Sequence, residues 1–93
     1  MFDTNQYFDG KVVSIAFKGE TLPATVGVMA PGDYEFGTAK PETIQVVSGS
    51  MTVQLPGESD WRTIKAGESF QVPGDSKFQV TIAADCAYLC LYH

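Results

Sequence analysis

Short apolar or β-branched runs separated by glycine- and proline-containing turns follow one another along the whole chain. Nine of these runs predict strands, at Lys11–Phe17, Ala24–Ala30, Tyr34–Thr38, Glu42–Ser48, Met51–Leu55, Trp61–Ile64, Ser69–Val72, Phe78–Ala83 and Ala87–Tyr92. No run has a convincing helical period, and the first seven residues are the nearest to one. Many short strands at close spacing are typical of a sandwich, barrel or jelly roll, so we expect one all-β domain over residues 1–93.

A repeated hexapeptide relates two parts of this fold. Pro31–Phe36 (Pro-Gly-Asp-Tyr-Glu-Phe) returns forty-two residues later as Pro73–Phe78 (Pro-Gly-Asp-Ser-Lys-Phe). Pro-Gly-Asp predicts a turn in both places, because proline fixes φ, glycine tolerates positive φ and aspartate bonds to the local backbone. The repeat indicates two related β-turn-β units, with Phe36 and Phe78 at equivalent depths in their strands.

The charge balance limits the partners. Eleven acidic residues against six basic ones give a net charge of −5, and there is no basic run, so we expect neither nucleic acid nor a membrane as a partner. The first residues lack the features of a secretory signal, and no apolar stretch approaches membrane-spanning length, so a cytoplasmic protein is expected. A chain of 93 residues builds one core, and pairing with a second copy would add buried area.

The two cysteines and the single histidine predict neither a disulfide nor a metal centre. Cys86 and Cys90 fall on one predicted strand, roughly 13 Å apart, which exceeds the ~7 Å limit for a disulfide. We expect both to be small buried hydrophobes. His93 is the only histidine, so we expect no transition-metal site and no bound cofactor.

Two motif regions have the spacing of the cupin signatures without their histidines. In the first, Glu42 and Gly49 keep the carboxylate-to-glycine spacing, and the two histidine places fall near Phe36 and Thr38. The chain therefore resembles a cupin, a double-stranded β-helix or jelly roll, with the metal ligands replaced by aromatic and hydroxyl residues.

The second motif region supports the same interpretation. Gly67 and Pro73 have the glycine-to-proline spacing of the second cupin signature, and its histidine place falls at Lys77 or Phe78.

Longer segments, in order along almost the whole chain, carry a more specific resemblance. These segments are Asn5–Val12, Val26–Met29, Gly32–Thr38, Val53–Gly57, Trp61, Phe70–Phe78 and Tyr88–Cys90. They resemble the pyrimidine/purine nucleoside phosphorylase family of small cupins. The resemblance implies a homodimer that uses inorganic phosphate to cleave purine and pyrimidine nucleosides into free base and ribose 1-phosphate. One difference is Leu91, where some members have an arginine.

Phosphorolysis of a nucleoside passes through a transition state with oxocarbenium character, as glycoside hydrolysis does. Because phosphate itself attacks, no covalent nucleophile is needed, and positioning with electrostatic stabilisation can supply the rate. The site needs an anion cradle, contacts to the ribose hydroxyls, a flat surface for the base and help for the leaving base.

Glu42 and Thr38 are the candidate catalytic residues. Glu42 occupies the cupin carboxylate place, where it would accept hydrogen bonds from ribose or stabilise developing positive charge; alternatively it is a solvated acid at the start of a strand. Thr38 puts a hydroxyl in a displaced-histidine place, although capping a turn explains it equally well.

Nine residues are candidates for substrate binding: Tyr34, Phe36, Lys40, Gln54, Trp61, Ser76, Lys77, Phe78 and Tyr88. The aromatic ones offer stacking surfaces, but ordinary burial preferences favour a core role for Phe36, and covering the barrel end or a dimer contact is favoured for Trp61. The lysines and the serine are possible phosphate partners, and an inward glutamine could bind a base edge.

Two other functions remain open at this level. The first is a non-catalytic, metal-free cupin that binds a nucleoside, a sugar or another small metabolite. The second is a purely structural dimer module, which predicts that Tyr34, Phe36 and Tyr88 are packed without a cavity.

Overall fold

The computed structural model describes all 93 residues and contains ten strands. The strands are β1 Thr4–Tyr7, β2 Val12–Lys18, β3 Pro23–Met29, β4 Gly32–Thr38, β5 Glu42–Ser48, β6 Ser50–Gln54, β7 Arg62–Lys65, β8 Ser69–Val72, β9 Ser76–Ile82 and β10 Cys86–Tyr92. Every strand pair is antiparallel. No helix long and apolar enough to cross a membrane is present.

The strands form two sheets that enclose the core. The larger has the order β1-β2-β3-β10-β5-β8 and the smaller has the order β4-β9-β6-β7. Side chains alternate along each strand, so one face of each sheet supplies the core cluster of 17 buried residues. Val46, Met51 and Val53 are fully buried in it. This arrangement confirms the predicted all-β, cupin-type jelly roll.

The predicted strands lie within two residues of observed ones throughout. The sequence missed β1, where the first residues form an edge strand that pairs with β2 from Thr4↔Ile15 to Tyr7↔Val12. Strand propensity does not predict β1, because this segment is short and polar and its structure depends on pairing with β2.

The hexapeptide repeat has a direct structural counterpart. Its two copies begin β4 and β9, which pair with each other, and Phe36 lies opposite Phe78. The prediction of equivalent depth was wrong, because Phe36 is half-buried whereas Phe78 is only 4% exposed.

The predicted turn chemistry was wrong in the second copy, where Asp75, not glycine, takes the positive φ of 53°. Gly74 is needed there for space, since an added Cβ would lie 3.0 Å from the carbonyl oxygen of Ala39.

The two cysteines behave as predicted. Cys86 and Cys90 are free and buried, and both face the core from β10. This strand lies between β3 and β5 in the centre of the larger sheet. Its alternate side chains, Tyr88 and Tyr92 among them, therefore point between the two sheets.

Candidate functional site

A cavity of about 270 Å³ opens between the two sheets. Its lining residues are Tyr7, Phe8, Ser14, Met29, Glu35, Phe36, Gly37, Glu42, Ile44, Met51, Phe78, Tyr88, Cys90 and Tyr92. The lining is mainly apolar and includes two carboxylates but no lysine or arginine. The structural-module hypothesis predicted solid packing here, and the cavity contradicts that expectation.

One wall of the cavity is polar and is formed by β10 with the start of β5. Glu42 is the register partner of Tyr92, which brings its carboxylate next to the inward side chains of β10. The Cys90 thiol donates to Glu42 Oε1, with Sγ and Oε1 3.3 Å apart. The Tyr92 and Thr25 hydroxyls are hydrogen-bonded at 3.1 Å and support the same wall.

Burial shifts the ionisation of this wall. It raises the pKa of Glu42 above its ordinary value, and the Cys90 hydrogen bond offsets part of that rise. Burial also raises the pKa of Tyr88 and of Cys90 to about 12 each, and raises that of Tyr92. The nearby Glu42 carboxylate adds to the rise for Cys90. Glu42 is therefore the most acidic group of the wall.

The opposite wall is aromatic. Phe36 is half-buried, with ring centroids 5.8 Å from Phe78 and 5.6 Å from Phe8. Phe78 also contacts Phe70 edge-on, at 6.2 Å. The cavity thus combines flat apolar surfaces with the half-buried carboxylate of Glu42, an arrangement suited to a small ligand that has a planar ring and hydroxyl groups.

The structure brings four of the predicted site residues together around the cavity: Glu42, Phe36, Phe78 and Tyr88. Tyr34 lies behind this lining and is buried. Its hydroxyl donates to the carbonyl oxygen of Ala30 at 2.6 Å, and its ring supports Phe8 at 4.9 Å.

Thr38 and Ser76 form a polar clamp outside the cavity lining. The Thr38 hydroxyl donates to the carbonyl oxygen of Pro73 at 2.7 Å and accepts from the backbone N–H of Ser76 at 3.1 Å. The Ser76 hydroxyl donates to the carbonyl oxygen of Gly74 at 3.0 Å. Both side chains are therefore engaged in holding the turn between β8 and β9.

The remaining four candidates lie on the surface or outside the lining. Lys77 is exposed, with Nζ 4.0 Å from Glu35 Oε1. Gln54 donates to the carbonyl oxygen of Ser59 at 3.2 Å. Lys40 is exposed after the end of β4, and Trp61 is 49% exposed next to β7 at the edge of the smaller sheet.

Sequence reasoning missed Tyr7, Phe8, Ser14 and Tyr92 as lining residues and treated Cys90 only as a core residue. The alternation of Tyr88, Cys90 and Tyr92 on one strand was a signal that could have identified Tyr92. Phe8 gave no such signal, because it lies in a turn. Leu91 alternates out of the cavity, pairing with Ala24 and Thr43 on the outer side of the sheet.

No group of three or more histidine, cysteine, aspartate or glutamate side chains is arranged to hold a metal ion. A jelly roll with an aromatic and carboxylate-lined cavity between its two sheets defines a small protein of the cupin fold. A putative ethanolamine utilization protein Q from Salmonella typhimurium has the same fold, with a TM-score of 0.76 at 15% identity over 99% of this chain and 93% of that one.

A model of the family described as pyrimidine/purine nucleoside phosphorylase matches residues 2–92, and the chain belongs to this family. It is 64% identical over 92 residues to a pyrimidine/purine nucleoside phosphorylase from Alcanivorax borkumensis, covering 99% of this chain and 98% of that one. A solved protein of unknown function from Vibrio parahaemolyticus is 44% identical, with a TM-score of 0.95 over 100% of this chain and 99% of that one.

Proposed function

We propose that the protein is a cytoplasmic nucleoside phosphorylase that cleaves purine and pyrimidine ribonucleosides to free base and ribose 1-phosphate, with phosphate as co-substrate and no metal ion. One observation carries the proposal: in a member of this family, an aromatic wall faces the half-buried Glu42 carboxylate across one cavity. The cavity volume of about 270 Å³ is near the lower end of the range of small-molecule sites.

In the proposed complex the base lies against Phe36 and Phe78, and the ribose faces Glu42 and Tyr88. An oxygen of hydrogen phosphate attacks C1′, the bond from C1′ to the base nitrogen breaks, and its electron pair leaves with the base. The base takes up the proton that the attacking hydrogen phosphate loses, which leaves ribose 1-phosphate as the dianion. Glu42 in its ionised form stabilises the positive charge that develops at C1′. Because the site is partly desolvated, this attraction is stronger than it would be in water.

Phosphate needs a positive partner that the cavity lining does not contain. Lys77 is the register partner of Gly37 and reaches Glu35, and both of these residues line the cavity. We assign the phosphate to this opening, next to Lys77. Its negative charge would then stay away from the Glu42 carboxylate.

The test is incubation of the purified protein with uridine, adenosine or inosine, with and without phosphate, followed by chromatography of the base and of ribose 1-phosphate. Phosphate-dependent formation of both products supports the proposal, and the absence of turnover with all three nucleosides contradicts it. Glu42→Gln is expected to lower kcat at least ~100-fold, within the range for loss of one electrostatic stabiliser. Glu20→Gln, an exposed and matched control, should leave kcat unchanged.

The same assay examines the ionisation of Glu42. Wild-type kcat/KM should rise with pH as the Glu42 carboxyl ionises. Because burial raises the pKa of this group, the rise should occur above the ordinary pKa of 4.5. The kcat/KM of Glu42→Gln should not show this rise with pH.

The second candidate function is a non-catalytic cupin that binds a nucleoside, a sugar or another small metabolite. The absence of lysine and arginine from the lining favours it, because a neutral ligand needs no cation. This function predicts a melting temperature that rises with ligand saturation, together with no turnover in the presence of phosphate.

We also propose that two copies associate through the outer face of the larger sheet. Alternation along the paired strands β2, β3 and β10 puts nine side chains on this outer face, and none of them is charged. They are Val13, Ile15, Phe17, Ala24, Val26, Val28, Ala87, Leu89 and Leu91. Val26 and Val28 are 42% and 53% exposed there. In a chain of net charge −5, this uncharged surface is where two copies repel least.

Sedimentation analysis tests the association. The wild type should sediment as a dimer. Val26→Asp should sediment as a monomer, because dimer formation would remove water from the unpaired aspartate charge in the contact. Glu20→Asp, outside the surface, should remain a dimer. A monomeric wild type at micromolar concentration would refute this proposal.

A further inference from the structure

The turn between β1 and β2 has an unusual backbone. Two consecutive non-glycine residues, Phe8 and Asp9, have φ values of 54° and 58°, and Gly10 follows at 84°. The turn is closed by hydrogen bonds from Gly10 N to Tyr7 O at 3.1 Å and from Lys11 N to Phe8 O at 3.2 Å. Hairpin turns with two positive φ values favour Asn-Gly, and a bulky residue with positive φ is an outlier.

Strained backbone of this kind persists where the surrounding structure holds it, and it concentrates at ligand sites. In this turn the strained backbone fixes the position of the Phe8 ring. Phe8 contacts Tyr34 at 4.9 Å and Phe36 at 5.6 Å, where it lines the cavity. It nevertheless remains 42% exposed.

Simple packing does not account for this arrangement well. A residue placed only for stability would bury more of its ring or adopt an unstrained turn. Phe8 instead keeps part of its surface open beside a cavity whose far side carries Glu42. Its ring adds a third aromatic surface to the wall of Phe36 and Phe78.

We propose that Phe8 is a substrate-binding residue that holds the planar base against the aromatic wall, with the strained turn serving to keep its ring at the opening. The inference rests on the proposed function, since it presumes a ligand with a planar base. Phe8 contributes stacking surface and has no part in the transfer step. Its loss should therefore raise KM and leave kcat almost unchanged.

The test compares three variants within this turn. Phe8→Asn suits positive φ and removes the ring, so KM for uridine and adenosine should rise about tenfold, the effect of losing one base-aromatic stack. The melting temperature should fall by no more than a few degrees, because relief of strain offsets the lost packing. Phe8→Tyr keeps the flat ring and should restore KM to within about twofold of wild type.

Asp9→Asn is the matched control, since it changes the neighbouring positive-φ residue without touching the cavity lining. Its KM should equal that of the wild type. Direct calorimetry provides a second measurement: Phe8→Asn should weaken binding of free uracil and adenine about tenfold and leave binding of ribose 1-phosphate unchanged.

The outcomes separate the two proposals. A wild type that turns over nucleosides, with Phe8→Asn kinetically unchanged, overturns the role of Phe8 and leaves the phosphorylase proposal standing. A wild type that binds bases without turnover overturns the phosphorylase proposal, and the calorimetric comparison then decides on Phe8. A wild type that binds neither base nor nucleoside overturns both.

Discussion

Replacing Thr38 with valine removes one hydroxyl and keeps the shape of the side chain, so the loss can be calculated from hydrogen bonds alone. That hydroxyl donates to Pro73 O at 2.7 Å and accepts from Ser76 N at 3.1 Å, in a residue that is only 8% exposed. Thr38→Val leaves one backbone N–H and one backbone carbonyl without their partner. Each such group costs about 1–3 kcal/mol, and water that reaches the part-buried turn keeps both near the lower end.

The expected destabilisation is therefore about 2–3 kcal/mol, which for a domain of this size lowers the melting temperature by roughly 8–24 °C. Urea unfolding and thermal melts measure it. Thr52→Val is the matched control, because its hydroxyl only contacts the Thr63 hydroxyl at 3.2 Å on the exposed face, and it should change stability by less than about 0.5 kcal/mol.

Activity measured well below the melting temperature should be close to normal in Thr38→Val. A melting temperature within about 2 °C of wild type would refute the structural argument. A stable variant with more than a tenfold loss of kcat would instead support the catalytic role that the sequence suggested.

Three further predictions concern the cavity and its walls. Burial raises the pKa of Glu42 above its ordinary value of 4.5, so this carboxyl ionises at a higher pH in the folded protein than in the unfolded chain. Wild-type stability therefore falls as the pH rises above 4.5, and the melting temperature of Glu42→Gln relative to wild type should increase over the same range. Because the pKa of Cys90 is about 12 and its thiol is buried, a thiol reagent at about pH 8 should leave it unmodified in native protein and label it after denaturation; rapid native labelling would contradict this. Gly27→Ala would put a Cβ 2.9 Å from the Tyr88 hydroxyl and closer still to a backbone carbonyl, which should cost about 1–3 kcal/mol, whereas in Gly37→Ala the nearest atom is 3.9 Å away and urea unfolding should be unchanged.

The strands were predictable because their boundaries depend on local chemistry. Proline and glycine ended the runs, and β5 and β8 were predicted with their observed bounds. The edge strand β1 was missed because its formation depends on pairing with β2, a contact that its own residues do not encode.

The site was only partly predictable from the sequence. Glu42 and Phe78 could be placed because the spacing of the two cupin signatures applied to them. The role of Cys90 as a donor to Glu42 could not be read from the chain, since the two residues are forty-eight apart and meet only through strand pairing. The position of Phe8 could not be predicted, because it depends on the positive φ angles of Phe8 and Asp9, which this sequence does not indicate.

The central place of β10 in the larger sheet has a consequence for how the protein folds. β10 is the last strand in chain order, yet it separates β3 from β5. Those two strands have no shared edge until β10 enters between them, so the larger sheet is completed by contacts between residues far apart in sequence, such as Cys90↔Thr25. Folding should accordingly be slow for a domain of this size. The cavity should form in the last step, when the backbone amides of β3 and β10 also become protected from hydrogen exchange.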